Sequence, residues 1–104
     1  MDKAKQAKLE AAGWSVATPK ERLNLTEEET ILVEVKVAFA SALRARRIEQ
    51  QLTQTEAARR LRSSQSRVAK MESADRSVSL DLLLRSFLKL GGTRDMVAAV
   101  FTAR

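Results

Sequence analysis

LTQTEAARRLRSSQSRVAKME, residues 52–72, is the stretch on which the fold turns. Thr53 followed three residues later by Glu56 forms a capping box, in which a hydroxyl and a carboxylate each satisfy a free backbone N–H at a helix start. A helix therefore opens at Gln54. Ala57, Ala58 and Leu61 give it an inward face, while Arg59 and Arg60 point away. It is short, because Ser63 and Ser64 supply the next N-cap. Ser64 opens a second helix in which Val68 and Met71, three apart, share the buried side with Ala69 nearby. The other side of that helix is polar throughout, carrying Gln65, Ser66, Arg67 and Lys70.

Working outward, LTEEETILVEVKVAFASALRARRIEQQ (residues 25–51) begins with another capping box, Thr26 with Glu29. Glutamates in its first turn and arginines in its later turns complement the helix dipole. Leu32, Val35, Phe39 and Leu43 form one apolar stripe, with Val33, Val37 and Ala40 beside it, and predict a long helix over residues 27–50. After the central pair, SVSLDLLLRSFLKLGG (residues 77–92) predicts a helix capped by Ser79 and ended by Gly91 or Gly92. Its apolar band is Leu80, Leu83, Leu84, Phe87, Leu88 and Leu90. A last short helix starts at Thr93; its stripe of Met96, Val97, Val100 and Phe101 serves either core packing or a dimer contact. At the other end, residues 2–12 suit a short helix capped by Gly13. An irregular arm follows, where Trp14 pins the arm to the domain or meets a partner chain. The chain thus divides into an N-terminal helix and arm, residues 1–25, and a helical domain, residues 26–104.

Composition bounds the rest. A chain of 104 residues with 44 % hydrophobic content supports one domain with a single modest core. Cysteine and histidine are both absent, which excludes disulfides and thiolate metal sites and disfavours zinc. With no glycine-rich phosphate loop either, neither an enzyme nor a cofactor is expected. No apolar run is long enough for a signal peptide or a membrane span, so a soluble cytoplasmic protein is expected. Three glycines, one proline and no period-2 alternation predict an all-α fold. The net charge of +6 is concentrated centrally: residues 44–76 hold nine basic and four acidic groups, against six and seven in residues 1–43. Such clustering suits a polyanion, with nucleic acid foremost and an anionic membrane as the other candidate.

The run LTQTEAARRLRSSQSRVAKMESADRSVSLDLLLRSFLKLG, residues 52–91, resembles the helix-turn-helix of the lambda-repressor-like, or XRE, family. The matches are Leu52, Thr53, Gln54, Ala58, Leu61, Ser64, Gln65, Val68 and Glu72. The resemblance implies a compact five-helix lambda-repressor-like domain with an N-terminal extension. KLEAAGW and LTEEETILVEVKVAFASALRARR are further similar to a subgroup that includes antitoxins resembling HigA. Independently of the family, Ala58 is small where two short helices must cross, and Leu61 and Val68 close the angle between them. The second helix is then a rigid projection whose Gln65, Ser66, Arg67 and Lys70 have the size and hydrogen-bonding capacity to reach base edges in a major groove.

By resemblance, Gln65 contacts a base, often adenine through its bidentate amide, and Ser66 and Lys70 share its face. Arg67 reaches backbone or base. Gln54 meets a phosphate from the helix N-terminus, with Ser64, Arg59, Arg60, Arg62 and Arg76 as further candidates for phosphate contact. Glu72 would repel phosphate if it faced outward, and by resemblance it pairs with Arg47 as a structural ion pair. The implied function is a sequence-specific DNA-binding regulator, a homodimeric repressor on a palindromic duplex operator. Its finer form is an antitoxin that binds a toxin of the RelE group and represses its own operon. A helical protein-interaction adaptor with an incidental basic patch is the reading from a different class. Three positions depart from the family pattern: Arg62 stands for the glycine usual in the turn, Ala57 for a common leucine, and Ser63 for a usual apolar residue.

Overall fold

A computed structural model describes residues 25–102. The expected helix over residues 2–12, its cap at Gly13 and the arm around Trp14 lie outside the described residues. Five helices are present, and no strand among the described residues: α1 Glu27–Glu49, α2 Gln54–Leu61, α3 Gln65–Glu72, α4 Leu80–Lys89 and α5 Arg94–Thr102. The chain divides into two units, Met1–Glu34 and Val35–Arg104.

In the first unit the described residues comprise the start of α1. The Thr26 N–H donates to Glu29 Oε1 at 3.0 Å, and the Glu29 N–H donates to Thr26 Oγ1 at 3.2 Å. The backbone N–H of Thr26, and after it the Thr26 hydroxyl, hold the Glu29 carboxyl below the usual carboxylate range.

The second unit contains the core. Phe39, Ala40 and Leu43 from α1 are buried with Ala57, Ala58 and Leu61 from α2, Val68 and Met71 from α3, and Leu83 and Phe87 from α4. Each large apolar side chain so buried contributes about 1.5–3 kcal/mol relative to exposure. Phe39 and Phe87 meet edge to face with centroids 6.3 Å apart, the arrangement that places the positive edge of one ring against the negative face of the other. Ala57 is fully buried in this core. One polar side chain joins it: the Ser86 hydroxyl donates to the Met71 sulfur at 3.3 Å.

Two apolar bands are narrower than the sequence predicts. Leu32 is 48 % exposed, so the buried part of the α1 stripe is Phe39 and Leu43 with half-buried Val35. Leu88 is also 48 % exposed, at the edge of the α4 band. A shared helical face brings side chains into line, but burial also needs a neighbour opposite each of them. On α5, Met96, Val97 and Val100 are half-buried, and Phe101 is 57 % exposed although its ring lies edge to face with Phe39 at 5.3 Å.

Four successive helices close in the same way. After α1, Leu52 N–H donates to Arg47 O and Gln51 N–H to Ile48 O. After α2, Ser63 N–H donates to Ala58 O and Arg62 N–H to Arg59 O. After α3, Asp75 N–H donates to Lys70 O and Ala74 N–H to Met71 O, and after α4, Gly92 N–H donates to Phe87 O and Gly91 N–H to Leu88 O. Each is a Schellman closure, which requires one residue of left-handed backbone. That residue is Gly91 in the last case, at φ 93°, but Gln51, Arg62 and Ala74 in the others, at 59°, 54° and 55°. Arg62 thus adopts the conformation of the glycine it replaces, at φ 54° and ψ 49°.

A non-glycine residue there is strained by steric contact of Cβ with the carbonyl oxygen, so Arg62→Gly is expected to raise stability by about 1 kcal/mol. Urea denaturation with an unchanged slope and a shifted midpoint is the measurement. A lower midpoint would mean that the arginine side chain holds the turn by contacts that outweigh its backbone strain.

Candidate nucleic-acid interface

The central helices are set by caps that close locally. Thr53 N–H donates to Glu56 Oε1 at 2.8 Å while Glu56 N–H donates to Thr53 Oγ1 at 3.1 Å, which fixes the start of α2. The backbone N–H of Thr53, and after it the Thr53 hydroxyl, hold the Glu56 carboxyl below its ordinary range; Arg59 and Arg60, a turn later, draw it the same way. Ser64 caps α3, its Oγ accepting from Arg67 N–H at 3.2 Å. Between the two helices run only Arg62, Ser63 and Ser64, and α2 packs against both α3 and α4.

α3 then shows two chemically different sides. Val68 and Met71 are each 1 % exposed, whereas Gln65, Ser66, Arg67 and Lys70 are all exposed. Ser64, Ser66, Arg67 and Lys70 line a concavity of about 320 Å³ together with Ser77 and Val78 from the connection to α4. Among the described residues neither Arg67 nor Lys70 forms an ion pair, so both cations remain available to an anion. Ser77 was not singled out by sequence reasoning. Its signal is the Asp-x-Ser spacing: Asp75 Oδ2 accepts from both the N–H and the hydroxyl of Ser77. The Ser77 hydroxyl and then its N–H hold the Asp75 carboxyl below the usual range.

A chain of hydrogen bonds also runs from the interior to the exposed start of α3. Arg47 Nε donates to Glu72 Oε2 at 2.6 Å and its Nη2 to Glu72 Oε1 at 3.1 Å, a bidentate pair whose side chains are 13 % and 5 % exposed. The third donor, Arg47 Nη1, reaches Leu52 O at 2.8 Å. Gln54 Nε2 donates to Glu72 Oε1 at 3.1 Å, and Gln65 Nε2 donates to Gln54 Oε1 at 2.7 Å. Gln54 is therefore engaged at both ends of its amide, and Gln65 carries its remaining N–H and its oxygen at the exposed surface.

The other predicted phosphate-contact residues are distributed more widely. Arg59 and Arg60 are exposed on α2, Arg62 is exposed at the turn, and Arg76 is exposed between α3 and α4; none of the four lines the concavity. Ser63, in place of an apolar residue, has a buried hydroxyl oxygen with no partner. Among the described residues no cluster of three carboxylates could hold a metal ion, and no helix is long and apolar enough to cross a membrane.

No curated protein and no solved structure matched the chain. A family model described as Helix-turn-helix does match, over residues 43–85, from the end of α1 through most of α4. This XRE-like match covers the two short helices, the turn between them and the residues that line the concavity, and supports a DNA-binding transcription regulator.

Proposed function

We propose that the protein is a sequence-specific transcription repressor that binds a palindromic operator as a homodimer, with α3 in the major groove. One observation carries this reading: Gln65, Ser66, Arg67 and Lys70 of α3 are all exposed while Val68 and Met71 are buried, and among the described residues Arg67 and Lys70 form no ion pair. Gln65, Ser66, Arg67 and Lys70 read bases. Ser64, Gln54 and the arginines Arg59, Arg60, Arg62 and Arg76 meet phosphates, the sequence-independent contacts that fix register. The Arg47–Glu72 pair braces α1 against α3. A second copy is needed because an eight-residue helix reaches too few base pairs to select one site in a genome, and two-fold symmetry doubles the reading.

Base and phosphate contacts respond differently to mutation. Gln65→Ala is expected to relax preference at one base position of each half-site, with a loss of about 1–3 kcal/mol for the favoured base. Arg59→Ala is expected to weaken all sequences alike and to reduce the slope of log affinity against log salt by about one. Binding measured on a set of singly substituted operators, across a salt series, separates the two. Equal and small effects from both variants would sink the assignment and favour a protein-interaction adaptor.

The antitoxin reading is a finer proposal. It draws support from apolar side chains left exposed outside the central helices, Ile31 at 58 % and Leu32 at 48 %, a pattern suited to a protein partner. Co-purification with the product of an adjacent reading frame, identified as an RNA-cleaving toxin, is the expected result.

A further inference from the structure

We propose that Glu72, acting through Gln54, determines which base Gln65 can read. This rests on the DNA-binding reading above and assigns the Arg47–Glu72 pair a part in specificity beyond bracing. A carboxylate in a salt bridge has acceptors only. The Glu72 oxygens face Arg47 and Gln54, so the Gln54 amide must turn its nitrogen toward Glu72, as the 3.1 Å bond from Nε2 to Oε1 records. Its oxygen is thereby directed to Gln65. An amide oxygen can only accept, so Gln65 must offer its nitrogen, as the 2.7 Å bond records.

The polarity of Gln65 is now fixed: one N–H is used, and the other remains beside a free carbonyl oxygen. A donor next to an acceptor complements adenine, which presents the N7 acceptor beside the N6 donor in the major groove. Guanine presents two acceptors there and leaves the Gln65 oxygen unsatisfied. Without the charge of Glu72 the two amides can turn over together, and the adenine-directed orientation is no longer imposed. Glu72 and Gln54 are therefore positioning residues, acting on the base through Gln65.

Operators substituted at each position are measured against wild type, Gln65→Ala, Gln54→Leu and Glu72→Gln, with circular dichroism on each protein. Gln65→Ala identifies the position read by Gln65. Gln54→Leu and Glu72→Gln are expected to lower adenine preference at that same position by about fivefold or more, leaving preferences elsewhere unchanged; Gln54→Leu also weakens binding to every duplex alike, because its phosphate contact is lost with the amide. Retention of the wild-type preference in both, or an equal loss at every position, overturns the relay. Should Glu72→Gln unfold, Gln54→Leu decides alone, because it leaves the Arg47–Glu72 pair in place. If wild type itself shows no base preference, the DNA reading fails first and takes the relay with it, an outcome distinct from intact specificity insensitive to Gln54.

Discussion

Arg47→Ala is expected to lower the folding free energy by about 3 kcal/mol, one of the two largest effects among these predictions. The Glu72 side chain is only 5 % exposed, and removing Arg47 leaves its charge with the single neutral donor of Gln54. Burial of an uncompensated charge accounts for most of the loss, so the remedy is to remove the charge as well. Arg47→Met combined with Glu72→Met is expected to recover most of the stability, because a well-packed apolar pair avoids desolvating two ions. A double-mutant cycle in urea measures the coupling. Additive losses from the two single variants would mean that the pair, despite its bidentate geometry, contributes no mutual stabilisation.

Phe39→Ala is the second. The ring is fully buried and lies edge to face with both Phe87 and Phe101, at 6.3 and 5.3 Å. Its loss removes transfer free energy and leaves a cavity that short neighbouring helices cannot fully close, for an expected cost of about 3–5 kcal/mol. In a small domain this is a large share of total stability. Phe101→Ala serves as the control: its ring is 57 % exposed, so the expected loss is mainly the aromatic pair, about 1 kcal/mol. Thermal or urea unfolding of both variants checks the contrast. Similar losses at the two positions would show that the α5 ring is as much part of the core as Phe39.

What the sequence disclosed follows the range of the interactions concerned. The capping boxes at Thr53 and Thr26 and the caps at Ser64, Ser79 and Thr93 act within three residues, so their helices begin where the sequence predicts. Phe39, Leu43, Ala58, Leu61, Val68 and Met71 were legible as core because helical spacing brings them to common faces. Leu32 and Leu88 escaped because spacing says nothing about how far an opposing helix extends. Gln51 and Ala74 gave no warning of left-handed backbone, having no glycine to mark the position. Exposure along α3 was legible, since Val68 and Met71 define the opposite side. The double engagement of Gln54 was not, because Gln65 and Glu72 stand 11 and 18 residues away and only packing of α2 on α3 brings them together. Ser86 was hidden for the same reason: its hydroxyl is accommodated by a sulfur 15 residues away.

The three helix closures built without glycine have a consequence for the lifetime of the chain. Their combined strain of about 3 kcal/mol corresponds to a roughly hundredfold larger unfolded population than a version closed by Gly at Gln51, Arg62 and Ala74 would have. Cellular proteases act on that population, so the glycine-closed version would be degraded more slowly at the same rate of synthesis. Wherever proteolysis of the unfolded chain limits its lifetime, backbone geometry at three turns thereby favours a faster fall in the concentration of this protein once its production stops.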